Sequence, residues 1–234
     1  NYKVLQFKGV VVKIASKKGT IDKNLIVITA YSPTVIVDDG PHYSSHYEKS
    51  LSEIINRTLE SYDSSKLSKM LAPAHTDPIK YSVQHQESNW QYLSRLSKQY
   101  GEWLYYNGTD LIFGTPNDQT DLELIEGKDL KSFAIDLAPL PNQFNYFTND
   151  YKNDTLHQKK ASEVSTGTNG FQSFTSNISK ELYSKETNVW INRVQTDEMM
   201  AGLDQQVTLQ KNVTEQNQFY LEVESNNPWV AVGL

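Results

Sequence analysis

Histidines and carboxylates are the side chains in this chain that could do chemistry near neutral pH. The histidines are His42, His46, His75, His85 and His157. His42 and His46 stand four apart, a spacing that on a helix would turn both toward one metal ion. Gly40-Pro41 lies just before them, however, and neither Asp39 nor Glu48 stands in a ligand pattern. Surface loop histidines are therefore expected there. His85 alternates with Val83 in YSVQHQE and reads as a half-exposed strand position. A glycosidase would need two carboxylates about 5–10 Å apart, one of them with a raised pKa. No spacing among Glu123, Glu126, Asp129, Asp136, Asp150 and Asp154 selects such a pair. Glu87, beside Ser88, reads as a charge at the positive end of a helix.

Other reaction classes fail on composition. The chain has no cysteine, which excludes a disulfide scaffold, thiol catalysis and cysteine-held zinc or iron–sulfur sites. Neither a G-x-S-x-G elbow nor a G-x-x-x-x-G-K-[ST] phosphate loop occurs. TGTNG lacks a strand–helix switch around it and reads as a flexible loop. No catalytic residue, metal or cofactor is expected, and the chain reads as a non-enzyme.

The aromatics are the remaining candidates. Trp90, Tyr92, Tyr100, Trp103, Tyr105 and Tyr106 crowd one short stretch. Packing explains about half of such a cluster, and exposed members would favour contact between protomers or with a partner. A sugar platform is the reserve explanation. The stretch that must position them, residues 78–114, reads as strand, capped helix and hairpin. Ser88 and Gln91 form a capping-box pattern, and Trp90, Leu93, Leu96 and Tyr100 recur at helical spacing. Gly101 stands where a left-handed cap is needed, and Asn107-Gly108 suits a two-residue hairpin turn between WLYY and LIF.

The remaining elements follow from periodicity and turn residues. VLQFKGVVVKIA and NLIVITAYSPTVIV read as strands, the first apolar enough for burial on both faces, joined through the turn KKGTIDKN. DDGPHYSS is a breaker cluster. Tyr47, Leu51, Ile54, Ile55, Leu59 and Tyr62 mark one face of a helix of about four turns. Residues 63–77 read as a polar connection. LELIE, LKSFAIDL, FNYFTND and DTLHQKKA look like strands, TGTNGFQS a loop, and 196–216 a helix with Met200, Leu203 and Val207 inward and Leu209 a further candidate. QFYLEVES and WVAVGL read as closing strands. The first and last runs sit at the chain ends without flanking turns, so a piece of a longer protein is expected. There is no signal-peptide pattern and no apolar run of membrane length.

Charge is uneven. Residues 1–37 hold six lysines and one aspartate, a balance of +5, while 38–114 carry −3 and 115–234 carry −8. Lysine-decorated solvent faces on strands are the first reading of this pattern; the alternative is attraction between the opposite ends of the chain, within a protomer or between protomers. Nucleic-acid binding is disfavoured, because the basic part is small and the remainder repels phosphate.

The central unit resembles the middle of VgrG proteins (the Rhs element Vgr family), the spikes of type VI secretion systems. It equally resembles baseplate-hub and late-control proteins of contractile phage tails. The shared pattern stands here as Gln84, Glu87, Ser88, Asn89, Trp90, Tyr92, Leu93, Arg95, Leu96, Gly101, Trp103, Tyr105 and Tyr106. It covers roughly forty residues; Phe7-Lys8-Gly9-Val10 is similar to a barrel strand that precedes it. The resemblance implies an α+β chain with two β-barrel-type parts flanking an α/β insertion. Residues 1–37 would end the first hub barrel, 38–114 form the insertion and 115–234 the second barrel with an inserted helix. It implies a structural homotrimer that adapts a hexameric, Hcp-like tube protein to a threefold needle for contractile injection and effector delivery. Such a protein assembles in the bacterial cytoplasm and is injected on contraction. Needle, tip and effector contacts would use parts that this chain does not contain. A tailed-phage hub shares all of this except the secretion role, and a carbohydrate-binding or adhesin module is the rival from another class.

Overall fold

The computed structural model describes residues 7–18, 24–115, 122–168, 170–191, 199–230 and 232. The turn expected over KKGTIDKN lies mostly outside the described residues. The chain divides into two compact units, one of Asn1–Glu123 with Asn227–Leu234 and one of Leu124–Asn226. Its strands form five separate sheets of two or three strands, so the architecture is mixed α+β with no closed barrel among the described residues.

In the first unit, β1 (Val10–Lys18) and β2 (Asn24–Tyr31) make an antiparallel ribbon. The strand begins later than expected. Lys8 instead donates its backbone N–H to Gly108 at 2.8 Å, and Phe7 meets Tyr106 edge-on. β2 ends sooner than expected, because Pro33 lacks an N–H and opens a 3₁₀ turn over Pro33–Val37. The first strand was expected to be buried on both faces, yet Ile14 is 70% exposed, and Ile26 and Ile28 on β2 are equally uncovered. Apolar density reports that a strand seeks cover, not that the chain supplies it.

The core of this unit lies under two short helices. After β3 (His42–Lys49), Ser50 caps α1 (Leu51–Leu59) in a full capping box with Glu53. The backbone N–H of Ser50 and the Lys49 ammonium hold the Glu53 carboxyl down at about 2. Tyr47 therefore lies on a strand and not on the helix, which is shorter than the four turns expected. β4 (Ser68–Ala72) occupies the stretch expected to be a polar connection and runs parallel to the strand Asp110–Gly114. β5 (Ile79–Glu87) pairs with β3 and leads into α2 (Asn89–Tyr100), then β6 (Leu104–Tyr106) and β7 (Asp110–Gly114). Leu51, Ile54 and Ile55 of α1 meet Tyr92, Leu93 and Leu96 of α2, all 0% exposed, over Val37, Leu111 and Phe113. Each such burial is worth about 1.5–3 kcal/mol.

His46 sits in this core at 8% exposure, stacked on Tyr92, with Nδ1 lacking a partner. Burial, helped by the Arg57 charge, pushes its pKa below the ordinary 6.5. The unfolded chain therefore binds a proton first as the pH falls. Stability is full above 6.5 and declines below it until the folded histidine also titrates. His46→Phe should remove that slope, read as the urea midpoint at about pH 7 and about pH 5.5; an unchanged slope would locate it elsewhere.

The second unit contains β8 (Leu130–Leu137), β9 (Phe144–Asp150), β10 (Thr155–Lys160), α3 (Gly170–Leu182), β11 (Thr187–Trp190), α4 (Met199–Gln216) and β12 (Phe219–Ser225). β9 lies between antiparallel β10 and parallel β11, while β8 pairs antiparallel with β12. Leu203 and Val207 of α4 are buried as expected, but Met200 is 45% exposed. The loop expected at TGTNGFQS becomes α3 from Gly170. This helix turns Thr175, Ser176 and Ser179 inward and leaves Phe171, Phe174 and Leu182 more than half exposed. Asn142 donates to the Ser176 hydroxyl and carbonyl at 3.0 Å, and Gln218 to the Ser179 hydroxyl at 2.9 Å. LELIE makes only a bridge from Glu126 to Leu130, and Trp229 lies in a turn where a closing strand was expected.

Candidate protein-docking face

The motif residues gather at the junction of β5 and α2. Ser88 Oγ accepts from the Gln91 backbone at 3.2 Å, and the Gln91 side chain accepts from the Ser88 N–H at 2.9 Å. Gly101 closes the helix at φ 70°, ψ 30°. Gln84, 3% exposed, accepts from Ser44 at 3.0 Å and donates to Asn89 at 2.9 Å and the Glu87 carbonyl at 3.0 Å. Asn89 in turn donates to Tyr62 at 2.8 Å, Tyr62 donates to Asp39 at 2.5 Å, and Ser88 donates to Asp38. Burial and the Asp39 carboxylate push the Tyr62 phenol up to about 12. This polar network ties the 38–41 loop to the N-terminus of α2, which makes it an organising device.

Glu87 has a closer partner than the helix end. Arg95 grips it with Nε at 2.6 Å and a terminal nitrogen at 2.7 Å, and also donates to the Val83 carbonyl. The guanidinium lies 5.1 Å from the Tyr92 ring centre. Arg95 holds the Glu87 carboxyl below the usual range. Strict alternation would place Glu87 outward with Val83 and His85. Instead, the pairing skips from Tyr43↔His85 to His42↔Glu87, with Gln86 bulged at φ 54°. That extra residue resets the alternation and brings the carboxylate to α2.

Most aromatics of the cluster serve the core. Tyr92 is 0% exposed, Trp90 and Tyr100 pack against the same core, and Tyr105 and Tyr106 are half-buried. Trp103 is the exposed one, at 60%. The hairpin turn shifts by one residue from the expected position. Asn107 and Asp110 close it, Gly108 and Thr109 are central, and the Asn107 side chain accepts from the backbone N–H groups of Thr109 and Asp110.

An aromatic face that sequence reasoning missed lies on the outside of the β3–β5 pair. Tyr43, Tyr47 and Tyr81 are 65%, 67% and 63% exposed, with Val83 and His85 between them. Tyr47 stands opposite Tyr81, and Tyr43 meets the His85 ring edge-on at 5.3 Å. A hydrogen bond to Glu48 pushes the Tyr47 phenol up, so the ring remains a neutral donor. The signal was present as i, i+4 and i, i+2 spacing in YSSHY and YSV, but Tyr47 had been assigned to a helix. Neutral tyrosines on a rigid sheet give large contact area at low entropic cost, the composition of protein-docking surfaces.

The histidines do not converge. His42 bonds Asp39 at 2.8 Å, His46 is buried on Tyr92 and His75 lies against Tyr100. Among the described residues no group of three or more His, Asp or Glu is placed to hold a metal ion. A polar cavity of about 390 Å³ in the second unit is lined by Lys180, Lys211, Glu163 and Glu215 among others. Two of these groups hold the 161–168 loop, Lys211 through the Val164 carbonyl and Glu215 through the Thr166 hydroxyl. No helix among the described residues is long and apolar enough to cross a membrane.

No curated protein matches the sequence. Among solved structures, the chain is similar to a tail protein from Neisseria meningitidis MC58, with a TM-score of 0.65 at 10% identity. That match covers 93% of this chain and 63% of the other. It is also similar to the 43 kDa tail protein of prophage MuSo2 from Shewanella oneidensis, with a TM-score of 0.58 at 14% identity. There it covers 91% of this chain and 59% of the other, so the chain spans under two thirds of either relative. Residues 6–121 match the family model "Phage tail baseplate hub (GPD)". Residues 6–121 are thus similar to the phage tail baseplate hub family, and the chain as a whole shares its fold with these two tail proteins.

Proposed function

We propose that this chain is the hub part of a contractile tail machine, a structural subunit that works through rigid interfaces and performs no reaction. The observation that carries the proposal is the match of residues 6–121 to the baseplate-hub family, a segment that contains the capped helix unit and its Glu87–Arg95 clamp. In this role three copies surround the tail axis and dock on a hexameric tube-type protein, moving with it on contraction. The threefold division into residues 1–37, 38–114 and 115–234 is kept: two barrel-type parts, completed on assembly, flank the α/β insertion. The exposed ribbons β1–β2 and β8–β12 suit that role, since a two-stranded ribbon alone is marginally stable in water. Assembly takes place in the bacterial cytoplasm before delivery.

A tailed-phage hub is favoured over a VgrG-type secretion spike by the family description and by the two tail proteins that share the fold. The secretion spike, with its needle, tip and effector partners, is the second reading and uses the same surfaces.

The tyrosine face supplies the test. Tyr47→Ser with Tyr81→Ser should weaken binding to a tube-type hexamer by about 10–100-fold, the weight of two central interface aromatics. Both side chains project into solvent, so the far-ultraviolet spectrum should be unchanged. Titration calorimetry with the parent and the double variant reads the effect. Equal affinities would move the docking surface elsewhere, and a parent chain that ignores the hexamer would overturn the hub proposal.

A further inference from the structure

Among the described residues, β1 and β12 each have one edge without a paired strand. Each belongs to a two-stranded ribbon in which it pairs with one neighbour, β1 with β2 and β12 with β8. Each ribbon has an apolar face without cover. On the first, Ile14 stands opposite Ile28 and beside Ile26, at 60–70% exposure. On the second, Val223 faces Phe133 and Leu221 faces Ile135, with exposures between 39% and 57%. Charges stand on the opposite faces, although exposed Leu25 lies opposite Lys17 there and Lys18 alternates onto the isoleucine face. Lys13 and Lys17 project from β1, while Glu222 and Glu224 project from β12, all exposed. Lys131 reaches Glu224 across the second ribbon at 3.3 Å, and no partner is described for Glu222, Lys13 or Lys17.

Charged residues on a free edge prevent identical edges from pairing. Here the two edges carry opposite signs, so β1 repels β1, β12 repels β12, and β1 attracts β12. We infer that the β1 edge of one copy pairs with the β12 edge of the next, forming a continuous four-stranded sheet across the boundary. Side by side, the ribbons merge isoleucines with Phe133, Ile135, Leu221 and Val223 on one face. Lys13 and Lys17 stand beside Glu222 and Glu224 on the other, as cross-strand ion pairs. A contact between two different surfaces of the same chain is head-to-tail and closes into a ring when its rotation allows. This inference deepens the hub proposal and rests on its ring-forming part.

The test uses the full chain, whose lack of cysteine makes introduced thiols unambiguous. Lys17→Cys and Glu222→Cys variants are mixed under mild oxidation. Cross-linked dimer is expected from the mixture and not from either variant alone. Light scattering should show that Lys13→Glu/Lys17→Glu weakens self-association about tenfold, as does Glu222→Lys/Glu224→Lys. Combining all four changes should restore it. Like-with-like cross-links, or association insensitive to both reversals, would overturn the edge pairing while leaving the hub proposal intact. A chain monomeric at every concentration would also overturn the pairing, and tube-hexamer binding then decides the hub role separately.

Discussion

Gly114→Ala is expected to cost about 3 kcal/mol or more and to abolish the cooperative unfolding of the first unit. Gly114 has φ +104°, where side-chain-bearing residues are strained. It also ends β7 directly against β4. An added Cβ would lie 2.2 Å from the carbonyl carbon and oxygen of Ala72 and 2.4 Å from the nitrogen of Pro73. Those are backbone atoms, and they are held: Thr115 donates to the Ala72 carbonyl at 2.9 Å and Gly114 to Trp103 at 2.8 Å. Relief would require breaking the parallel β4–β7 ladder, which flanks the buried Leu111 and Phe113. Gly40→Ala is the control, because Gly40 has φ +118° and nothing within 4 Å of its would-be Cβ. It should cost only the backbone strain, about 1 kcal/mol. Urea unfolding of the two variants separates strain from overlap. Equal midpoints would mean that β4 and β7 do not approach as closely as described. Total stabilities of about 5–15 kcal/mol make the predicted difference decisive.

Arg95→Ala should be the next most damaging change, at about 2 kcal/mol. The guanidinium makes a two-pronged pair with Glu87, donates to the Val83 carbonyl and lies over Tyr92. At 34% and 23% exposure the pair is neither a surface bridge nor a buried one, so the cost falls between those limits. Arg95→Lys keeps the charge but loses the planar fork, and should recover no more than about half. Linkage adds a second readout. Because Arg95 lowers the Glu87 pKa in the folded state, the pair contributes stability above the ordinary 4.5 and loses it as the pH falls through the folded value. The parent should therefore show a steeper acid-side decline below 4.5 than Arg95→Ala, which keeps the part owed to Glu53. That window is separate from the His46 decline, which begins at 6.5. An Arg95→Ala protein with an unaltered acid limb would assign the limb to another carboxylate.

The local signals were legible wherever a hydrogen bond closes within a few residues. Ser88 with Gln91 and the left-handed Gly101 appear as read, because capping is decided by chemistry three or four positions away. The apolar alternation of LKSFAIDL and QFYLEVES likewise yields β8 and β12. The helix at α3 was invisible for a physical reason: its inward face is Thr175, Ser176 and Ser179, held by Asn142 and Gln218 in place of apolar packing. Periodicity measures hydrophobicity, and this helix is docked by hydroxyls. β4 escaped because SKMLA is a strand by virtue of its parallel partner β7, which lies some forty residues further on in the sequence.

By itself, then, the sequence determined the capped α2 unit, its resemblance to tail hubs, the lack of thiol chemistry and the uneven charge. Tertiary structure alone decided which aromatics face solvent. Tyr92 and Tyr47 are the same residue type, yet one is 0% and the other 67% exposed, because α1 packs against the first and nothing among the described residues covers the second. It also decided that Glu87 meets Arg95, through a bulge at Gln86 that no pattern announces, and that the isoleucines of β1–β2 stand uncovered. Burial is a property of two surfaces together. A strand can encode its own alternation, but the partner that covers it is written elsewhere in the chain or in another copy.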